Sequence, residues 1–215
     1  MLNIPRHSRP SIAQHFSSSR ALTQHAHPPP PPDSHLSPDT MSVTIHTTHG
    51  PLKLELFCDL VPRTCFNFLA LAASGAYDGS LFHRLIPQFM IQGGAPAGKT
   101  KGGSSIWGEA FNDEFHPDLK HDRRGVVSMA NKGPNTQRSQ FFVTFERQPH
   151  LNNTYTVFGR VIDHLDTLDV MERSEVGEKD RPRQEIRIER VEIHANPLAD
   201  EGVVYETKDG PPVVR

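Results

Sequence analysis

The feature that most constrains the fold is a period-two alternation of apolar and polar residues that begins at Ser42. The alternation runs along residues 43–47, is interrupted by a turn at His49-Gly50, and resumes along residues 52–56. This pattern predicts a β-hairpin with one buried face. Further short strands separated by turn signals are predicted at residues 80–85, 89–92, 125–129, 140–145, 156–162 and 185–194.

Only two segments have the periodicity of a helix. Pro62 suits the first position of one helix, and Gly75 suits its C-terminal cap. The second helix is predicted over residues 165–173. Many short strands and only two helices predict a mainly-β protein, built as a closed or nearly closed barrel. The apolar stripe of the first helix consists of Cys65, Phe68, Leu69 and Ala72.

The two ends of the chain differ in composition from the rest. Residues 1–40 form a Pro/Ser/His-rich extension with five consecutive prolines at Pro28–Pro32, and we predict that it is disordered. Two alternatives are a mitochondrial transit peptide, since arginines precede the first acid Asp33, and a proline ligand for an SH3 or WW domain. Met41 is a possible translation start. The folded domain is predicted at residues 41–196, followed by a flexible C-terminal tail at 197–215.

Net charge, apolar runs and cysteine content bear on the binding partners and location of the protein. The net charge of −2 gives no general reason to expect binding to nucleic acid or to anionic membranes. The sequence has no apolar run of about 18 residues, the length that spans a membrane. We predict that Cys58 and Cys65 are reduced thiols, which fits a nuclear or cytoplasmic protein, although a disulfide is the alternative.

One motif match is rejected on physical grounds. Gly93–Thr100 fits the phosphate-loop pattern GxxxxGK[ST], whose mechanism needs a helix directly after the loop. Gly102-Gly103 makes a helix start there unfavourable, so we predict a Gly-rich surface loop. No zinc or protease motif is present, and neither a metal nor another cofactor is expected. His83, in an apolar strand, is predicted to be structural rather than a catalytic base.

Two segments combine polar and apolar side chains in an unusual way. Residues 82–94 place Arg84 and Gln92 among aromatic and thioether side chains, and residues 128–142 add Asn131 and Gln140 beside two phenylalanines. A charge in apolar surroundings is costly to desolvate, so it usually has a function or a partner. One explanation is an ion pair at the barrel rim between Arg84 and an acid such as Glu109 or Asp113.

The same segments carry a family resemblance. FHRLIPQFMIQGG and VSMANKGPNTQRSQFFVTF closely resemble two signature stretches of the cyclophilins, and the likeness extends over almost all of residues 41–196. The segments MSVTIHTTHGPLKLELFCD, QPHLNNTYTVFGRVID and IHANP are similar to the isomerase-like 3 subgroup. The resemblance implies an eight-stranded antiparallel barrel capped by two α-helices, with the active groove on its outer face.

The resemblance also implies an activity. It implies a peptidyl-prolyl cis/trans isomerase that assists protein folding or the remodelling of an assembly such as the spliceosome, with which the subgroup is associated. The alternative is a proline-peptide binding module of a larger complex with little turnover. The expected partners are proline-containing segments of client proteins and spliceosomal proteins, with no direct contact to nucleic acid or membrane, and a monomer is expected.

Residue roles follow from the matched positions. The resemblance implies that Arg84 is the catalytic hydrogen-bond donor and that Gln92 supports it. Lys132, next to Asn131, is expected to be a solvated loop lysine, although it could also favour an acid near the proline. The residues expected to bind substrate are Phe89, Met90, Gln92, Ala130, Asn131, Gln140, Phe142, His150, Leu151 and Tyr155.

Two positions depart from the family pattern. Many cyclophilins carry a tryptophan where this chain has His150 and a histidine where it has Tyr155. The missing indole removes a large apolar surface and an N–H donor. We therefore expect weak binding of cyclosporin.

Overall fold

The protein is described by a computed structural model, in which residues 41–195, 202–210 and 212–214 have a defined placement. Eight antiparallel strands form one sheet in the order β3-β4-β6-β5-β7-β2-β1-β8. The strands are β1 (Ser42–Thr47), β2 (Gly50–Leu56), β3 (Arg84–Ile86), β4 (Met90–Gly93), β5 (Val126–Met129), β6 (Phe141–Thr144), β7 (Val157–Asp163) and β8 (Ile188–Ala195).

Backbone hydrogen bonds join the two edges of this sheet. Phe82 N–H donates to the Ile186 carbonyl and Ile188 N–H donates to the Ser80 carbonyl, each at 2.8 Å. The strand predicted at residues 80–85 is therefore divided: Leu81 bridges to Arg187 beside β8, and only β3 pairs with β4. The sheet curls into the predicted eight-stranded barrel because this segment crosses from one edge to the other.

Two α-helices accompany the sheet, α1 (Pro62–Ala73) and α2 (Leu165–Glu172). Pro62 begins α1 and Gly75 follows it with a φ of +73°, both as predicted. Glu114 accepts hydrogen bonds from the backbone N–H groups of Arg63 and Thr64 at 3.3 and 2.6 Å, so its charge stabilises the positive end of the helix. The predicted stripe of α1 is buried in full: Cys65, Phe68, Leu69 and Ala72.

Strand register divides the apolar residues into two groups. Leu85, Ile91, Val143 and Val127 lie opposite one another across β3, β4, β6 and β5, and all four are fully buried inside the barrel. Their sequence neighbours point the other way, because successive side chains of a strand alternate between faces. Three of the side chains on the outer face form a second, separate buried cluster: Met90, Phe142 and Leu151.

The described part of the C-terminal tail packs against α1. Val203–Val204 pairs with Val213–Val214 as strands β9 and β10. The Tyr205 ring is buried against Phe66 at 5.4 Å, and Trp107 donates its indole N–H to the Tyr205 carbonyl at 2.7 Å. Tyr205 thus covers aromatic surface of α1 and Trp107, while the flexibility predicted for residues 197–215 stays a prediction.

Other predictions from the sequence concern the thiols, the Gly-rich loop and the two ends. Cys58 and Cys65 are both free and buried, and burial raises the pKa of the Cys65 thiol. The segment Gly94–Thr100 is a loop without a helix after it, as predicted. The extension 1–40, with its predicted disorder and possible transit peptide or proline ligand, lies outside the described residues. None of the described helices has the length and apolarity needed to cross a membrane.

Candidate active site

The candidate site is a depression on the outer face of the barrel. Arg84 lies opposite Gln92 on the neighbouring strand, and Gln92 lies opposite Phe142 on the next. Cross-strand partners of this kind point to the same face, so the register alone brings a cation, an amide and an aromatic ring together. The depression measures about 270 Å³ and is lined by Arg84, Phe89, Met90, Gln92, Ala130, Asn131, Phe142, Leu151 and Tyr155.

The structure places the two other predicted residues beside this depression. Gln140 accepts a hydrogen bond from the Gln92 amide at 2.9 Å. His150 belongs to a short 3-10 helix, Pro149–Leu151, and its exposed ring stacks on Phe89 at 5.8 Å. All eleven residues predicted from the sequence thus lie in or next to one site.

The floor of the depression is apolar. Met90, Phe142 and Leu151 are buried together, and Phe89, Ala130 and Tyr155 pack around them. The rings of Phe142 and Tyr155 meet edge to face at 5.4 Å, which is a favourable aromatic geometry. An apolar floor with few polar groups at its edge suits a small apolar ring such as that of proline.

Arg84 stands at the rim, with 43 % of its side chain exposed. Its Nε donates to Oδ2 of Asp180 at 3.2 Å, and Asp180 belongs to the 3-10 turn Glu178–Asp180. The suggested partners Glu109 and Asp113 were wrong. Glu109 instead pairs with Lys208, while Asp113 accepts a hydrogen bond from the Asn135 backbone.

The Nε contact fixes one edge of the Arg84 guanidinium. A guanidinium has five N–H donors, and the other four are on the two terminal nitrogens. Among the described residues these terminal nitrogens have no hydrogen-bond partner. Arg84 therefore presents unused charged donors beside the apolar depression.

A row of amides fixes the side of the groove next to Arg84. The Gln140 amide N–H donates to the Gly102 carbonyl at 2.8 Å, while its oxygen receives the Gln92 bond. Asn131 donates to the Thr154 carbonyl at 2.7 Å. Beyond Gln92 and Gln140 the groove widens into a second depression of about 490 Å³, which includes Gly103, Ala110 and Thr136. An extended peptide can follow this surface.

His121 was missed by the sequence analysis. It is fully buried and contacts the Ser128 hydroxyl at 2.8 Å through Nε2 and the Asn152 side-chain oxygen at 3.0 Å through Nδ1. Its ring stacks on Phe142 at 6.0 Å, so it supports the floor of the depression. Burial lowers the pKa of His121, which favours the neutral ring. No sequence pattern distinguishes this histidine from the other twelve.

The chemistry available here is electrostatic. The groove offers a charged hydrogen-bond donor, amide groups and an apolar recess. In the described residues no three His, Cys, Asp or Glu side chains are arranged to hold a metal ion. His83 is half-buried next to Arg84, and its pKa is lowered by burial and then by the charges of Arg181 and Arg84.

Comparisons with known proteins agree with this geometry. The model of the family described as "Cyclophilin type peptidyl-prolyl cis-trans isomerase/CLD" matches residues 42–193. The chain is 61 % identical to "Peptidyl-prolyl cis-trans isomerase CYP18-1" of Arabidopsis thaliana over 159 residues, covering 74 % of this chain and 99 % of the relative. It is 57 % identical to the human "Peptidyl-prolyl cis-trans isomerase-like 3" over 160 residues, with the same coverage.

Solved structures show the same likeness. A crystal structure of a cyclophilin type isomerase from Cryptosporidium parvum has a TM-score of 0.71 and 49 % identity, covering 74 % of this chain and 99 % of that one. A second structure of that protein, obtained in the presence of the dipeptide Ala-Pro, has a TM-score of 0.70 and covers 72 % of this chain. Fold and groove thus define a proline-peptide isomerase barrel. The chain belongs to the cyclophilin family of peptidyl-prolyl cis/trans isomerases, and it is an enzyme of that activity.

Proposed function

We propose that Arg84 is the catalytic hydrogen-bond donor and that the enzyme acts on X-Pro bonds of proteins in a nuclear assembly such as the spliceosome. The observation that carries the catalytic part is the position of Arg84. It combines unused terminal N–H donors with a fixed Nε, at the rim of an apolar recess.

The reaction needs no nucleophile. Rotation about an X-Pro bond crosses a barrier of about 20 kcal/mol and takes tens of seconds without help. In the twisted transition state amide resonance is lost, so the prolyl nitrogen becomes a hydrogen-bond acceptor. A guanidinium that donates to this nitrogen binds the transition state better than the planar ground state, and such differential binding accelerates the reaction.

The size of the required effect is modest. An ordinary turnover near 10 per second demands about 4 kcal/mol of barrier lowering. One charge-assisted hydrogen bond from Arg84 supplies about 1.5–3 kcal/mol of this. The recess of Met90, Phe142 and Leu151 holds the proline ring while the preceding residue rotates, and this positioning supplies the remainder.

The client and the location are proposed from the subgroup. The resemblance to the isomerase-like 3 subgroup, associated with the spliceosome, supports a role in remodelling a nuclear assembly or in folding its proteins. The two buried, free cysteines are consistent with a reducing compartment such as the nucleus or cytoplasm. A mitochondrial location is the alternative if residues 1–40 act as a transit peptide.

A second candidate function rests on His150. The sequence places a histidine where many cyclophilins carry tryptophan, and its exposed ring stacks on Phe89 at 5.8 Å. A groove that binds the substrate more weakly is compatible with a proline-peptide binding module that has little turnover. Binding and turnover must therefore be measured separately.

The catalytic proposal is tested with residues 1–215 and two variants, Arg84→Ala and Arg160→Ala. Arg160 is a matched control because its side chain is 40 % exposed, against 43 % for Arg84, and it also pairs with an acid, Glu55. We expect Arg84→Ala to lower kcat/KM for an Ala-Pro peptide by about 10- to 100-fold, the loss of one charge-assisted hydrogen bond. Arg160→Ala keeps the activity.

The outcomes separate the two functions. If the parent binds the peptide but does not turn it over, the binding module is correct. If both variants keep full activity, Arg84 is not the donor.

The location is tested in cells of the source organism. We expect the native chain to sediment with spliceosomal particles from nuclear extract, and mass spectrometry of its N-terminus identifies any cleavage within residues 1–40. Recovery in mitochondria with a cleaved N-terminus would contradict the nuclear proposal.

A further inference from the structure

A third depression shares Arg84 and Gln92 with the 270 Å³ depression, whose apolar floor we call the proline recess. It measures about 480 Å³, and the described residues that line it include five cationic side chains and no Asp or Glu. We call it the basic depression and define it by Arg84, Lys101, Lys132, Lys179 and Arg181. Such a concentration of positive charge is unexpected in a chain whose net charge is −2.

Most of these charges have no counterion. Lys101, Lys132 and Lys179 are exposed, and among the described residues they form no ion pair. Asp180, an acid next to Lys179 in the chain, is paired with Arg84. Arg181 donates to the Thr100 hydroxyl at 3.3 Å, a neutral partner. The depression therefore keeps an excess of positive charge.

The basic depression is continuous with the catalytic groove. Arg84 and Gln92 line both the proline recess and the basic depression. Lys132 and Gln140 line both the basic depression and the 490 Å³ depression next to it. An extended peptide advances about 3.3 Å per residue, so a side chain within about three residues of a bound proline reaches this surface.

We propose that the basic depression binds an anionic side chain of the substrate, the carboxylate of Asp or Glu or the phosphate of phosphoserine, within about three residues of the proline. This inference rests on the proposed use of the groove for catalysis. Lysine and arginine form charge-assisted hydrogen bonds to carboxylate and phosphate oxygens. The enzyme is then selective for X-Pro bonds in acidic or phosphorylated segments.

A nucleic acid is the less suitable ligand. Single-stranded binding sites usually combine a basic groove with aromatic rings on which bases stack. In the part of the chain that the structure describes, the lining of the basic depression contains no Phe, Tyr or Trp, and His83 supplies its one ring. The positive charge is also confined to a recess that adjoins the proline site, where a peptide side chain can enter.

The test uses a series of Ala-Pro peptides that carry a single Asp, or a single phosphoserine, at each position from three before to three after the proline. The neutral peptide is the reference. We expect the anionic residue to lower KM about tenfold in at least one position. The dissociation constant measured by fluorescence anisotropy falls by the same factor, which is the effect of one charge-assisted hydrogen bond. The gain shrinks at high salt because exposed charges are screened.

Variants assign the effect to the depression. Lys101→Gln combined with Lys179→Gln removes two charges that line the basic depression but neither the proline recess nor the 490 Å³ depression. We expect it to abolish most of the gain while turnover of the neutral peptide persists. The matched control removes the same charge from two cations that line none of the three depressions, with Lys53→Gln combined with Arg190→Gln. It keeps the gain.

The possible outcomes separate a failure of this inference from a failure of the catalytic proposal. If the neutral peptide is turned over but no anionic peptide binds better, the inference is overturned and the catalytic proposal stands. If no peptide is turned over, the catalytic proposal fails, and anisotropy still decides whether the anion binds. Displacement of the anionic peptide by a single-stranded oligouridine at equal concentration would overturn the inference in favour of a nucleic acid. A gain with phosphoserine alone supports it and identifies the anion as phosphate.

Discussion

The contact between Arg84 and Asp180 leads to a specific prediction for Asp180→Asn. Asp180 has a φ of +59°, a left-handed conformation that asparagine adopts more readily than most residues. The substitution therefore removes the negative charge without straining the 3-10 turn. Alanine at the same position would confuse loss of charge with backbone strain.

The magnitude follows from the exposure of the pair. The side chains of Arg84 and Asp180 are 43 % and 47 % exposed, and ion pairs of this kind contribute about 0.2–1 kcal/mol. If Asp180 positions the guanidinium, the same free energy is lost from the transition state. We then expect kcat/KM to fall about 1.4- to 5-fold, since about 1.36 kcal/mol corresponds to a tenfold change in rate.

The assay is the isomerisation rate of an Ala-Pro peptide, with thermal unfolding measured in parallel. Glu175→Gln is the control, because it removes the acid of another exposed pair, Arg183–Glu175, close by in the chain. We expect this control to keep the parent rate. An unchanged rate for Asp180→Asn would refute the positioning role, and a faster rate would show that Asp180 restrains Arg84 from the substrate.

Three further predictions concern stability and ligand binding. Burial lowers the pKa of His121 in the folded chain, so the unfolded chain binds a proton at this histidine at a higher pH. The free energy of unfolding is therefore full above about pH 6.5 and declines as the pH falls below it. In thermal unfolding His121→Asn weakens this decline, and equal declines in parent and variant would contradict the prediction. In denaturant unfolding, Gly103→Ala lowers the free energy of unfolding by about 1–3 kcal/mol more than Gly98→Ala does. Both glycines have positive φ, but only at Gly103 would an added Cβ clash with the Ser139 hydroxyl. Equal losses in the two variants would disprove the clash. The parent binds cyclosporin weakly in a titration and His150→Trp binds it more tightly, whereas submicromolar binding by the parent would refute the role given to the missing indole.

Much of the fold is predictable from local pattern. The alternation along residues 43–56 predicts the hairpin because one face of each strand is buried, and Pro62 and Gly75 give both ends of α1 because their backbone preferences are local. The boundaries of the strand predicted at residues 80–85 were less accurate. That segment bonds to β8 and then to β4, and such long-range pairing leaves no local pattern.

The candidate site, like the fold, was predictable from the sequence only in part. The two motifs give the residues of the groove, and the strand register that aligns Arg84, Gln92 and Phe142 explains why they occur at those spacings. Asp180 and His121 were not predicted. Asp180 contacts a residue 96 positions away through a turn, and His121 acts by packing under Phe142, so neither role has a sequence pattern.

The most direct test of catalysis by Arg84 is NMR exchange spectroscopy of an Ala-Pro peptide with a small amount of the full chain. We expect exchange between the cis and trans signals in the presence of the parent, with an unchanged cis/trans ratio because a catalyst does not alter an equilibrium. With Arg84→Ala the peptide still binds, as seen from its shifted signals, but exchange falls about 10- to 100-fold. Exchange at the parent rate in the variant would contradict the central role of Arg84.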